Sequence, residues 1–107
     1  MITYTEQELY SMPDWKFDVV VHDIAKENSD VRGSVALPYS TSLTSAWTLW
    51  KNKIGIIRLE NIETLAGLPL IMAEFPYKEG LWLRTYHPTN AARALSVLYV
   101  LWRQLDS

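Results

Sequence analysis

No cysteine occurs among the 107 residues. That absence removes disulfides, thiolate zinc sites and cysteine nucleophiles together, and it points to a cytoplasmic setting. A basic excess is missing as well: ten Lys and Arg stand against twelve Asp and Glu, a formal net charge of −2. A protein that grips nucleic acid by its phosphates needs a dense Lys/Arg face to release counterions, so general nucleic-acid binding is not expected. There is also no apolar run fit for a membrane. The longest, near the C-terminus, is interrupted by Arg93, Ser96 and Arg103, whereas a spanning helix needs about 20 apolar residues. Met1 to Glu6 lack the basic start and apolar run of a signal peptide, so no targeting segment is expected.

Groupings that carry chemistry are equally scarce. The two histidines, His22 and His87, stand far apart in the chain. Asp18 lies four residues before His22, so a helical pair is geometrically possible, although a solvated helix face is the simpler account of both. No serine sits in a Gly-flanked elbow. Glu60, Glu63 and Glu74 fall on different predicted elements and compose no acid/base pair. No enzymatic activity, metal or cofactor is therefore expected.

What is present is apolar bulk. Hydrophobic residues make up 49% of the chain and five are Trp, so one core built around large rings is expected, in a single domain spanning 1–107. At this length folding buries roughly 65% of the unfolded chain's surface, enough for one core and not two.

Hydroxyl-rich residues from Leu37 open a helix in which Leu43, Ala46, Trp47 and Trp50 share one face, ending at Asn52 or Gly55. Before it, Thr5 and Glu8 form a capping box for a turn over Glu6 to Tyr10. A helix from Pro13 to Lys26 repeats Phe17, Val20, Val21 and Ile24, and a weak strand follows over Val31 to Leu37. After it, Ile54 to Glu60 reads as a strand and Glu63 to Ala66 as a helical turn closed by Gly67 and Pro69. Leu70 to Phe75 and Leu81 to Tyr86 form a hairpin across the loop Pro76 to Gly80. A final helix from Asn90 to about Gln104 carries Leu95, Leu98, Tyr99 and Trp102. These elements predict an α+β fold: a small, mostly antiparallel sheet of three to four strands. Because Leu70 to Ala73 is apolar throughout, helices are expected on both faces, an α-β-α sandwich.

The segment Pro38-Tyr39-Ser40-Thr41, followed by Ala46-Trp47, resembles the Pro-x-Tyr-Ser-Thr-Asp segment with its following Ala and Trp in small bacteriophage proteins of the phage ABA sandwich domain type. It is similar too to the Ala-Trp segment of phage NinX-like proteins. Asp14 to Glu27 resembles that family's N-terminal helix, and His87-Pro88-Thr89-Asn90-Ala91-Ala92 its last helix start. Ser42 stands where the family has Asp. The resemblance implies an α-β-α sandwich, a phage or prophage source, and no established enzymatic activity.

Two surfaces are candidates for function. The helix starts after Tyr39 and after His87 present free N–H groups and positive dipole ends suited to a phosphate. Tyr39, Ser40, Thr41, Thr89 and Asn90 would line such a site, with His87 and Arg93 supplying charge; the same hydroxyls are also ordinary helix caps. Tyr77, Trp82 and Tyr99, on the hairpin and the broad last helix, form a candidate interface. The expectation is a small phage accessory protein in the bacterial cytoplasm. It would bind a host or phage protein, with homo-oligomers possible. The alternative is a binder of a nucleotide or phosphate-bearing signal that counteracts host defence.

Overall fold

The computed structural model of the chain describes residues 3–51, 53 and 56–106. Thr5 opens α1 (Glu6–Ser11) through the predicted capping box, its hydroxyl accepting from the Glu8 amide while the Glu8 carboxylate accepts from the Thr5 amide. Pro13, which has no N–H to leave unpaired, leads into α2 (Asp14–Glu27), whose Phe17, Val21 and Ala25 are buried. Ser42 caps α3 (Leu43–Thr48) by accepting from the Ser45 amide at 3.2 Å. Three strands follow, β1 (Arg58–Glu63), β2 (Pro69–Lys78) and β3 (Leu81–His87), in one antiparallel sheet of order β1-β2-β3. Asn90 then caps α4 (Ala91–Leu105), accepting from the Arg93 amide at 2.9 Å. The described residues thus form an α+β fold.

Its centre is α4. Every residue from Ala92 to Val100 is buried, the condition of a helix wrapped by partners on all sides. It packs on β2 and β3, and α1, α2 and α3 pack on it. The Thr85 hydroxyl donates to the Ala94 carbonyl at 2.6 Å and so ties β3 to the helix. Around its C-terminal half, Trp50, Phe75, Tyr99 and Trp102 form a ring cluster with centroids 5.1–5.9 Å apart. Each such ring pair adds about 0.5–1.5 kcal/mol beyond the area it buries. Trp47 is partly buried against the same core.

Several predicted elements change shape. Val31 to Leu37 is an irregular loop rather than a strand, with Gly33 at φ 93° and Val35 exposed. No ladder partner reaches it, so among the described residues the sheet has three strands. α3 stops at Thr48, short of Trp50, which is buried from the following turn. The predicted helix ends Asn52 and Gly55, and the strand start Ile54, lie outside the described residues. The helical turn predicted over Glu63 to Ala66 is a tight turn, closed by the Thr64 amide on the Leu68 carbonyl and the Gly67 amide on the Thr64 carbonyl, both at 2.9 Å. The hairpin loop shrinks to Glu79-Gly80, because Lys78 pairs with Leu81 and Gly80 adopts φ 76°. A bulge between Pro76 and Lys78 lets a central strand carry a residue with no ladder donor.

Alternation along the strands separates two faces. Leu59, Ala73, Phe75, Leu83 and Thr85 share the α4 face, whereas Arg58, Glu74 and Arg84 align across the strands on the other, beside Glu60, Met72 and Tyr86. The sandwich's helix cover lies on the α4 face; among the described contacts no comparable helix lies on the opposite one. That face carries charge pairing instead, with Glu74 between Arg58 and Arg84.

Candidate functional site

The loop before α3 is held from two helices. From α2, Asp18 Oδ1 accepts from the Ser40 amide at 2.8 Å, and His22 Nδ1 lies 2.8 Å from the Tyr39 hydroxyl. From α4, the Ser96 hydroxyl donates to the Tyr39 carbonyl at 3.0 Å, and Asn90 Nδ2 donates to the Ser40 carbonyl at 2.7 Å. Asp18 and His22 are one helical turn apart, so both reach the same loop. His22 is buried, not on the solvated face the sequence suggested. Its Nε2 faces the Gly33 carbonyl at 3.0 Å. A carbonyl can only accept, so Nε2 carries a hydrogen toward it, and in the neutral ring Nδ1 accepts from the tyrosine hydroxyl. Burial, reinforced by the Asp18 charge, pushes the Tyr39 hydroxyl up to about 12.

At the start of α4, His87 Nδ1 accepts from the Thr89 amide at 3.1 Å and the Asn90 amide at 2.8 Å. This geometry needs a neutral ring, and burial, followed by the nearby Arg93 charge, holds the His87 pKa below its ordinary value. Arg93 is itself buried. Its guanidinium donates to Asp14 at 3.1 Å and to the carbonyls of Leu9 at 2.8 Å and Met12 at 2.5 Å, and lies 3.9 Å over the Phe17 ring. A cation at the C-terminal end of α1 meets the negative end of the helix dipole. Burial lowers its pKa while Asp14 and Asp18 oppose the shift. Arg93 therefore clamps α1 to α4. Its Nε and the Ser40 hydroxyl are buried without a hydrogen-bond partner among the described residues.

Two hollows adjoin here. Thr41, Leu43, Thr89, Asn90, Ala91 and Ala92 line an open one of about 380 Å³. Tyr10, Met12, Asp14, His87, Asn90 and Arg93 line another of about 140 Å³. Thus Thr41, Thr89 and Asn90 share one hollow, His87, Asn90 and Arg93 the other, and Tyr39 and Ser40 are fully buried behind them. Tyr10 is a participant that sequence reasoning missed: its hydroxyl accepts from the Tyr86 amide at 3.0 Å, and burial pushes its pKa to about 12. One tyrosine at the end of a short helix offers no periodic signal.

The interface candidates separate. Trp82 is 50% exposed and, with Tyr86 at 40%, flanks Arg84 on the sheet face opposite α4. Beneath them Glu74, only 3% exposed, accepts from Arg84 Nε and lies 3.7 Å from Arg58, which also pairs with Glu60 at 2.5 Å. Tyr77 is partly buried and donates to the Leu105 carbonyl at 3.3 Å. Tyr99 lies in the core with 0% exposure, its hydroxyl donating to Asp30, and offers no surface. The broad apolar arc that marked it as interface is consumed by the strands and by α3.

Among the described residues no group of three or more His, Asp and Glu side chains is placed to hold a metal ion. Nor is any of their helices long and apolar enough to cross a membrane. No family model, curated protein or solved structure matches the chain.

Proposed function

We propose that this chain is a non-catalytic accessory protein that binds another protein through the open face of its sheet. One observation carries the reading: Trp82 and Tyr86 stand exposed on either side of Arg84, on a face where the described helices provide no cover. Trp, Tyr and Arg are the residue types that dominate binding energy at protein interfaces. The resemblance at Tyr39-Ser40-Thr41 and Trp47 to phage ABA sandwich and NinX-like proteins supports a phage or prophage origin. The partner is then a host or phage protein in the bacterial cytoplasm, or a second copy of the chain. The test is quantitative capture from bacterial lysate by the wild-type chain and by Trp82→Ala, with light scattering on each. A protein enriched by the wild type and lost from the variant, or a concentration-dependent dimer abolished in it, supports the reading. A monodisperse monomer that captures nothing contradicts it.

A second reading, a binder of a nucleotide or other phosphate-bearing signal that counteracts host defence, draws support from the 380 Å³ hollow where Thr41, Thr89 and Asn90 meet the first amides of α4. A rise in unfolding midpoint with a member of a nucleotide panel supports it, since ligand at 100 times its Kd adds about 2.7 kcal/mol. No shift with any member counts against it.

A further inference from the structure

At the other end of α4 lies a cavity of about 90 Å³ lined in part by Asp30, Trp50, Lys51, Lys53, Trp102 and Arg103. Its floor is rigid. The Trp50 and Trp102 rings stack at 5.1 Å and 19°, and the Trp50 indole N–H donates to the Leu95 carbonyl at 3.3 Å. Two cations rest against that floor: the Arg103 guanidinium lies 3.9 Å over the Trp102 ring, and Lys53 Nζ lies 5.5 Å over the same ring. The Lys53 amide donates to the Trp50 carbonyl at 2.6 Å, which holds its backbone beside these rings.

The charges do not balance. Lys51, Lys53 and Arg103 give three positive charges against the carboxylate of Asp30 on the cavity wall and that of Asp106, which lies 4.0 Å from Arg103 outside it, an excess of one. That carboxylate is already engaged, since Asp30 Oδ2 accepts from the Tyr99 hydroxyl and from Arg103 Nε at 3.0 Å and Nη2 at 2.5 Å. Neither Lys51 nor Lys53 has a salt-bridge partner among the described residues. Lining one cavity with like charges is unfavourable. Bound counter-charge relieves it. The space suffices, because one water needs about 10–15 Å³ of such volume.

We infer that this cavity binds a phosphate group, either free inorganic phosphate or the terminal group of a phosphomonoester. A phosphate presents three strong acceptor oxygens, one for each of the three cationic side chains, where a carboxylate has two. Lys51 and Lys53 supply point charges, and the Arg103 guanidinium, anchored by Asp30 and stacked on Trp102, supplies planar N–H donors. These residues are distinct from the open sheet face and from the start of α4, so the inference stands apart from both functional readings.

Titration of the full chain with inorganic phosphate, and separately with phenyl phosphate, followed by tryptophan fluorescence at matched ionic strength, tests this. Trp50 and Trp102 form the floor and report occupancy. The expected result is a saturable change absent with chloride, weakened by about tenfold or more in Lys53→Gln and Lys51→Gln. It should be retained in Thr41→Ala, whose side chain lines the hollow at the other end of α4. A response to phenyl phosphate alone assigns the source as an ester, and a response to both admits the free ion. No saturable change with either, or a change that persists in both lysine variants and falls in Thr41→Ala, overturns the inference.

Discussion

On the face of the sheet that meets α4, Ala73, Phe75 and Thr85 lie beneath rings and helix backbone; on the opposite face the same strands hold Glu74 between Arg58 and Arg84 and leave Trp82 half exposed. Glu74 and Phe75 are neighbours in the chain and belong to different environments, because a strand turns successive side chains to opposite sides. The first face holds the fold together by packing and leaves little for a partner to touch. The second is held by ion pairs that water can partly replace, and its aromatic groups are free to be covered. Under the proposed reading, stability and recognition fall on different sides of one sheet.

Substitutions on the packed side should be the most damaging. Trp50→Ala removes the ring that contacts Phe75, Tyr99 and Trp102, and should cost about 3–5 kcal/mol in denaturant unfolding. A loss under one kcal/mol would break the comparison. Arg93→Ala comes next. It removes donors from the carbonyls of Leu9 and Met12 and should cost about 1.5–3 kcal/mol, with amide exchange accelerated first in α1.

His87 sharpens the comparison through pH. Its folded-state pKa is lowered, by burial and then by Arg93, while an unfolded chain titrates near about 6.5. The unfolded state therefore takes up the proton first. This contribution to stability is full above that pH and is lost as pH falls toward the depressed folded value. Unfolding free energies measured from neutral to mildly acid pH should decline less steeply in His87→Ala than in the wild type, and equal slopes would contradict the capping role. The smallest effect is expected on the open side, where Trp82→Ala should change stability by no more than about 0.5 kcal/mol.

Much of the packed side was legible in the sequence. The spacing of Phe17, Val21 and Ile24 placed α2, and Leu95, Leu98 and Trp102 placed α4, because helical periodicity is a local signal. The Thr5–Glu8 box and the Asn90 cap were legible for the same reason. Val31 to Leu37 misled, since a short stretch already weakened by Gly33 becomes a strand only beside a partner. The candidate site was harder. His22, Asp18 and Arg93 are polar residues whose partners lie 11–84 positions away, and no spacing rule carries that information. Tyr99 misled in the opposite sense: a wide apolar arc shows that a helix is covered, without saying whether sheet, helix or partner covers it.

The division between the two faces is tested most directly by one paired measurement on Trp82→Ala, its unfolding midpoint and its capture of protein from bacterial lysate. The account predicts a midpoint like the wild type's and loss of what the wild type retains. A captured set unchanged from the wild type, or a destabilisation as large as that of Trp50→Ala, would contradict it.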